Sequence, residues 1–214
     1  MGIKERKERD KNRRRDQILD AAIELTGQQG FEKTTMDEIA EKAELSKGTL
    51  YLYYKDKSSL YQAIKKRALQ SLHQKFLYAL QQDKPGSELV KGMVFSFLDM
   101  IQENITFTKA MLLYRTSDSV ENEQETSIAE KCVDIENDLN MLMLKAIQIG
   151  IQDGSISTNL DPKLLTLQIG FQMRGILQFY ILDNKNQGTK IFKDQELSLN
   201  ELMDLFLNVQ FSHN

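Results

Sequence analysis

Hydroxyl, amine and phenol side chains are concentrated in residues 34–57, which read TTMDEIAEKAELSKGTLYLYYKDK. Thr35 followed by Glu38 is a capping box, and this predicts a helix that begins at Met36. Ser46 is a good N-cap residue for a second helix, which is expected from Lys47 to about Tyr53. The polar groups of this stretch are therefore expected on two short helices joined by a tight turn.

Apolar residues in the same stretch are spaced to bury one face of each helix. Ile39, Ala40 and Ala43 recur at helical spacing on the first helix, and Leu50 and Tyr54 lie four apart on the second. Tyr54 is therefore assigned to the core. This pattern predicts a helix-turn-helix, in which the second helix enters a DNA major groove. The alternative is a pair of small helices that only complete a bundle.

The second helix has a glycine in its first turn, at Gly48. Glycine is costly in a helix unless something must approach the backbone closely. A purely structural role for this helix does not require it.

The spacing of these residues resembles the signature of the tetracycline-repressor (TetR) family, over roughly the first sixty residues. The resemblance is carried by Thr35, Ile39, Ala40, Ala43, residues 45–51 (LSKGTLY), Tyr53, Tyr54, Lys55 and Lys57. It implies that the start of the first helix, at Thr35 and Met36, meets DNA phosphate, a ready position for an anion. It also implies that Lys47, Gly48 and Thr49 reach base edges. The expected phosphate contacts that fix the register are Tyr51, Tyr53, Lys55 and Lys57.

Charge is unevenly distributed along a chain of 214 residues with a net charge of −3. Residues 1–57 contain 13 Lys and Arg against 12 Asp and Glu, and residues 58–214 contain 15 against 19. Eight basic residues lie close together near the start: Lys4, Arg6, Lys7, Arg9, Lys11, Arg13, Arg14 and Arg15. Residues 1–10 are predicted to be a flexible basic arm, which is either only solvated or in contact with phosphate or the minor groove.

No alternating strand pattern occurs, so the prediction is an all-α fold of about nine helices. The expected helices beyond the helix-turn-helix are 11–29, 57–82, 87–103, 107–116, 127–152, 161–182 and 198–211. The expected domains are a helix-turn-helix domain at 11–56, a connecting helix at 57–84 and an effector-binding and dimerisation domain at 85–214. The connecting helix joins the DNA-reading unit to the second half of the chain.

The second half resembles the family only in its layout. That layout implies a homodimer held by the last two long helices, with Phe171, Gly175, Leu202, Leu205, Phe206 and Val209 at the interface. The alternative is that both helices close the core of a monomer. Two-fold DNA half-sites favour the dimer, because a palindromic operator calls for a two-fold protein. Arg174 lies in an apolar stretch and, if buried, is expected to pair with an acidic neighbour; the alternative is a contact with a ligand.

Seven of the nine methionines lie between Met93 and Met203. They either fill a plain core or line an adaptable cavity for an apolar or amphipathic small-molecule effector. Residue type and helix membership suggest a lining of Phe97, Met100, Phe107, Met111, Tyr114, Met141 and Gln172.

Other function classes find little support in the sequence. No Ser/His/Asp or Cys/His arrangement, metal cluster or phosphate-cradling glycine loop is present, so neither an enzyme nor a cofactor is expected. The single cysteine and the absence of a secretion signal or a long apolar run predict a cytoplasmic protein without a membrane segment. A transcriptional repressor released by its effector is favoured over a DNA binder of the same fold that is architectural or controlled by a protein partner.

Overall fold

The computed structural model describes residues 2–104, 106, 108–110, 123–183 and 201. In these ranges it contains helices and their connections and no strand, which confirms the all-α prediction. The helices are α1 (Ile3–Gln29), α2 (Met36–Lys42), α3 (Lys47–Tyr53), α4 (Lys57–Leu80), α5 (Gly86–Glu103), α6 (Glu123–Gln152) and α7 (Pro162–Asp183). Glu201, within the predicted last helix, is helical, and the rest of that segment lies outside the described residues.

Helix α1 begins earlier in the chain than the sequence predicted. Residues 3–10, for which a flexible arm was predicted, continue α1 as helix. The Gly2 N–H donates to Glu5 Oε2 at 2.9 Å, which satisfies one of the free donors of the first turn. Lys, Arg and Glu are good helix formers, and pairs spaced like Glu5 and Arg9 each contribute about 0.2–0.5 kcal/mol. Exposed charged residues thus extend the helix although none of them is buried.

The chain divides into two compact units, and α4 belongs to both. The first unit comprises residues 1–67 and 104–129, and the second comprises 68–103 and 130–214. The division falls within α4, between residues 67 and 68, and within α6, between residues 129 and 130. The domain limits predicted from the sequence follow helix ends instead and stay a prediction.

The first unit has a core made by one face of each of its helices. Its largest fully buried side chains are Ile18 of α1, Ile39 of α2, Leu50 of α3, and Leu60, Tyr61 and Ile64 of α4. Full burial of one such side chain contributes about 1.5–3 kcal/mol. Asp56 caps α4 as expected, with its Oδ1 accepting the Ser59 N–H at 2.7 Å.

The second unit brings the start of α5 against the end of α6. The Gly86 N–H donates to Asp153 Oδ2 at 2.8 Å, and the Ser87 N–H donates to Ser155 Oγ at 3.0 Å. A Cβ on Gly86 would lie 2.0 Å from the Gly150 backbone nitrogen, so only glycine fits here. The hydrogen bonds from Ser155 and Gly86 hold the pKa of Asp153 below its usual value.

Helix α7 begins as its sequence predicted. Asp161 Oδ1 accepts the Lys163 N–H at 2.7 Å, and Pro162 occupies the first helical position.

None of the helices in the described ranges has the length and apolar character needed to cross a bilayer.

Candidate nucleic-acid interface

Helix α2 begins with the predicted capping box. Thr35 Oγ1 accepts the Glu38 N–H at 3.2 Å, and the Thr35 N–H donates to Glu38 Oε2 at 2.8 Å. Ile39 and Ala40 are buried one turn later. The predicted start of the helix at Met36 and its inward face are both confirmed.

The same capping box places a carboxylate at the start of α2, where an anion site was predicted. Both the N–H and the hydroxyl of Thr35 donate to Glu38 Oε2, each at 2.8 Å. The hydrogen bond from the Thr35 backbone is the largest cause of a lowered pKa at Glu38. In the DNA-free structure, the Thr35 donors are therefore bonded within the chain.

The turn between α2 and α3 contains two features that the sequence did not reveal. Glu44 has φ 54°, in the left-handed region that few non-glycine residues adopt. Gln17 Nε2 of α1 donates to the Ala43 carbonyl at 2.8 Å. Gln17 thus ties the first helix to the turn that sets the direction of α3. The φ of Glu44 belongs to the local end of α2, where the Leu45 N–H donates to the Ala40 carbonyl at 2.9 Å, but no glycine or asparagine marks it in the sequence. The bond from Gln17 has no sequence signal, because it depends on how α1 packs against the turn.

Helix α3 has one buried side and one exposed side. Leu50 and Tyr54 are buried, as predicted, and burial raises the pKa of Tyr54 to about 12. Ser46 caps the helix by accepting the Thr49 N–H at 3.2 Å. The exposed residues of α3 and its C-terminal flank are Lys47, Gly48, Tyr51, Leu52 and Lys55.

Lys47 is paired with an acidic residue of the preceding helix. Its Nζ lies 2.5 Å from Asp37 Oδ2, and both side chains are more than half exposed. Because the pair is exposed, its contribution to stability is small, about 0–1 kcal/mol. The pair places the amine beside Asp37 on the surface of the helix-turn-helix.

Gly48 has free space around it within the chain. A Cβ built on this residue meets no atom within 4 Å, and its backbone does not have positive φ. Neither packing nor backbone conformation in the described structure therefore requires glycine here. A requirement for glycine would have to come from a molecule that approaches α3 from outside.

Three of the predicted phosphate-contacting residues also make contacts within the protein. Met36 and Tyr53 are partly buried against the core of the first unit. Lys57 Nζ donates to the Glu32 carbonyl at 3.2 Å and lies 4.2 Å from the centre of the Phe31 ring. Their contacts with DNA stay predictions.

The residues predicted for an effector cavity fall into three groups. Phe97 and Met100 are buried on α5, and Gln172 Oε1 on α7 is buried without a hydrogen-bond partner in the described structure. Met141, in contrast, is 62% exposed on α6, so it does not belong to that interior. Phe107, Met111 and Tyr114 lie outside the described residues.

The predicted dimer contacts can be located only on α7. Phe171 is 70% exposed and Gly175 is exposed. Leu164 and Leu167 were not predicted at the interface, but they are also exposed and lie on the same side of the helix as Phe171. Leu202, Leu205, Phe206 and Val209 lie outside the described residues.

Arg174 has the acidic neighbour that was expected for it. Its Nη2 lies 4.0 Å from Glu136 Oε2 of α6, although Arg174 itself is exposed and not buried.

Among the residues that the structure describes, no group of three or more His, Cys, Asp or Glu side chains could hold a metal ion.

Comparison with known proteins assigns the helix-turn-helix to a family and finds relatives along most of the chain. Residues 18–64 match the model of the tetR family of bacterial regulatory proteins. Over 189 residues, 88% of this chain and 93% of the relative, the chain is 26% identical to the uncharacterized HTH-type transcriptional regulator YhgD of Bacillus subtilis (strain 168). It is 22% identical over 198 residues to the probable acrEF/envCD operon repressor of Escherichia coli (strain K12), covering 90% and 86% of the two chains.

Solved structures of similar architecture match nearly the whole chain. The crystal structure of the transcriptional regulator FadR from Bacillus subtilis, in complex with stearoyl-CoA, aligns with a TM-score of 0.68. The alignment covers 92% of this chain and 97% of that one, at 19% identity. At this identity the likeness shows a shared fold.

Proposed function

Because the chain is a member of the TetR family of bacterial transcriptional regulators, we propose that it is a homodimeric repressor whose α3 reads a palindromic operator. The observation that carries the proposal is the exposed side of α3. This side carries the amine of Lys47, the phenol of Tyr51, and Gly48, where the structure does not require a glycine. The other side of the helix is buried in the core. Protruding hydrogen-bond donors on a rigid short helix suit the reading of base edges in a major groove.

The residues of α2, α3 and their flanks take different roles in this proposal, and Thr49 is half-buried beside the exposed Lys47 and Gly48. Lys47 donates to guanine, and Thr49 contacts a thymine methyl group. Gly48 lets the helix backbone come close to the DNA. Tyr51 and Lys55 contact phosphates, together with the start of α2 at Thr35 and Met36. Tyr53 and Lys57 contribute less, because both already pack against the protein.

The exposed apolar residues of α7 support the homodimer. Leu164, Leu167 and Phe171 are 58%, 48% and 70% exposed, and they are spaced three and four residues apart. Residues at this spacing form a continuous stripe along a helix. A second copy of the chain would cover this stripe and would present two copies of α3 to two half-sites.

The interior of the second unit supports control by an amphipathic effector. Gln172 Oε1 is buried without a partner in the described structure and can accept hydrogen bonds, and Phe97 and Met100 are buried apolar side chains of the same unit. The bound stearoyl-CoA of the FadR structure suggests the ligand class, a molecule with a long acyl chain and a polar end. Gln172 would accept from the polar part of such a molecule, and α5 would contact its chain.

Helix α4 is the proposed link between effector and DNA. Within the first unit, its Arg67 pairs with Asp20 of α1 at 2.5 Å, and within the second, its Lys75 lies 3.7 Å from Glu103 of α5. A ligand that moves α4 would therefore also act on the helix that supports α2 and α3. Effector and DNA would weaken each other's binding by the same factor.

The test begins with selection of the preferred duplex from a random library, followed by fluorescence-anisotropy titration. Lys47→Ala and Thr49→Ala should each lose about 1–3 kcal/mol on the selected duplex and much less on a random one. Lys145→Ala, an exposed lysine of α6, is the matched control and should bind both duplexes like the wild type. Equal losses on both duplexes for Thr49→Ala would refute its role in base reading.

The effector is tested with stearoyl-CoA, with coenzyme A alone as the control. Stearoyl-CoA should raise the melting temperature and release the operator, because a ligand that binds the folded state stabilises it. If no acyl compound does either while specific DNA binding persists, the protein is a DNA binder without such control.

A further inference from the structure

The N-terminal half of α1 carries a charge that the proposed base-reading surface does not use. We define the basic extension as residues 3–15, IKERKERDKNRRR, which hold eight Lys and Arg against three Asp and Glu. Its net charge is thus 8 − 3 = +5, whereas the other residues of the chain together carry −3 − 5 = −8. Positive charge is concentrated in this one segment of an otherwise acidic protein.

The basic extension is helical but has no buried face. All of its residues are exposed except Arg15, which is half-buried, and the first buried residue of α1 is Ile18. A surface helix normally has an apolar stripe that packs on its own protein, and here the only apolar residue is Ile3. The same lack of an apolar face disfavours a membrane surface, since interfacial helices insert such a face among lipids. A polyanion that contacts charged side chains is the partner that fits.

The base of the basic extension adjoins the segment that contains α3. Gln17 donates to the Ala43 carbonyl, just before α3 begins. At the other end of α3, burial raises the pKa of Tyr54, and the nearby positive charge of Arg15 acts to lower it. Both ends of segment 43–54 therefore lie close to residues 15–17, and the basic extension begins beside the helix-turn-helix.

We propose that the basic extension, as a helix, lies along the DNA that flanks each operator half-site and contacts its phosphates. This inference rests on the proposed function. Thirteen helical residues at about 1.5 Å each span about 20 Å, and one strand of DNA carries one phosphate for about every 3.4 Å of the duplex axis. Each protomer would therefore cover about six base pairs beyond the bases that α3 reads. These contacts would add affinity for any flanking sequence, because phosphates carry no base information.

The first test compares two duplexes that carry the selected operator, one ending at the half-sites and one extended by ten base pairs on each side. The wild type should bind the extended duplex at least about tenfold more tightly in 50 mM salt. A variant that lacks four charges of the basic extension should lose this preference: Lys4→Gln, Arg6→Gln, Lys7→Gln and Arg9→Gln. Its salt dependence on the extended duplex should also flatten, by about 0.9 in log–log slope for each phosphate that the variant leaves without a basic partner. Glutamine keeps the helix propensity of the residues that it replaces.

The matched control removes the same number of charges from exposed lysines of the second unit. It combines Lys84→Gln, Lys131→Gln, Lys145→Gln and Lys163→Gln. This control should keep the preference of the wild type for the extended duplex. A loss as large as that of the extension variant would mean that net charge alone sets the affinity, and this result would overturn the inference.

A second pair of variants tests the helical form of the basic extension. Asp10→Ala and Asp10→Pro each remove one negative charge, but only proline breaks the helix. Asp10→Ala should retain the preference for the extended duplex, whereas Asp10→Pro should reduce it although it is more positive than the wild type. Equal binding by the two variants would overturn the helical part of the inference.

The outcomes also separate this inference from the proposed function. A wild type that binds the short operator specifically but gains nothing from the flanks overturns the inference alone. A wild type that binds no duplex specifically overturns both. Binding to phosphatidylglycerol vesicles that requires the basic extension, with no gain from the flanks, would reassign the segment to a membrane surface.

Discussion

Replacing Gly48 with alanine should separate the stability of the protein from its affinity for DNA. A Cβ at this position meets no atom of the chain within 4 Å, so the methyl group causes no clash in the free protein. Alanine also loses less conformational entropy than glycine when it enters a helix. The free energy of unfolding should therefore rise by about 0.5–1 kcal/mol.

The same methyl group should weaken DNA binding if the backbone of α3 lies against the groove. Insertion of a methyl group into a closely packed contact costs about 1–3 kcal/mol. This cost corresponds to a loss of about 5- to 150-fold in affinity for the selected operator. A single substitution should thus make the protein more stable and a weaker DNA binder.

Two measurements on the same preparation test this expectation. Thermal denaturation should show a melting temperature higher by about 1–4 °C, given about 2–4 °C per kcal/mol for a chain of this size. Anisotropy titration of the labelled operator should show the loss of affinity. Gly92→Ala on α5 is the matched control, since a Cβ there also meets nothing within 4 Å. It should gain similar stability and bind DNA like the wild type.

If Gly48→Ala is stabilised and still binds the operator as tightly as the wild type, the backbone of α3 does not approach DNA closely. Glycine at this position would then have no explanation in the proposed interface.

Three further substitutions test the surroundings of the interface. Asp37→Asn should tighten binding to selected and random duplexes, because it frees Lys47 and removes a negative charge near phosphate. Anisotropy titrations that show weaker binding to both duplexes would contradict this. Phe171→Asp should shift the protein from dimer to monomer in sedimentation, and an unchanged dimer would exclude the exposed side of α7 as the interface. Tyr54→Phe tests a pH effect: the wild-type phenol has a pKa of about 12 when folded, above its unfolded value near 10. The resulting stabilisation is complete below pH 10 and is lost as the pH rises to 12, so over this range the wild type should lose about 2 kcal/mol more than Tyr54→Phe in denaturant unfolding.

Local signals explain why α2 and α3 could be predicted closely. The Thr35 capping box and the Ser46 N-cap act within three residues of the helix that each begins. The inward positions of Leu50 and Tyr54 follow from helical spacing alone. None of these features depends on how distant parts of the chain pack.

Features that depend on packing between helices were not predictable in the same way. The pair of Lys47 with Asp37 joins two helices, and so does the hydrogen bond from Gln17 to Ala43. Met141 was placed in a cavity by residue type, but its position on α6 leaves it exposed. Periodicity identifies helices that bury a face, so it could not detect residues 3–10, which are helical without burying anything.

Hydroxyl-radical footprinting on the selected operator shows where the protein covers the DNA backbone. A dimer that reads DNA through two copies of α3 should protect two stretches related by two-fold symmetry. Their centres should lie about 10 base pairs apart, or a multiple of that distance. Both stretches should lose protection together in Lys47→Ala at a concentration that saturates the wild type. Uniform cleavage under saturating wild-type protein, or one protected stretch without a symmetry mate, would contradict the account.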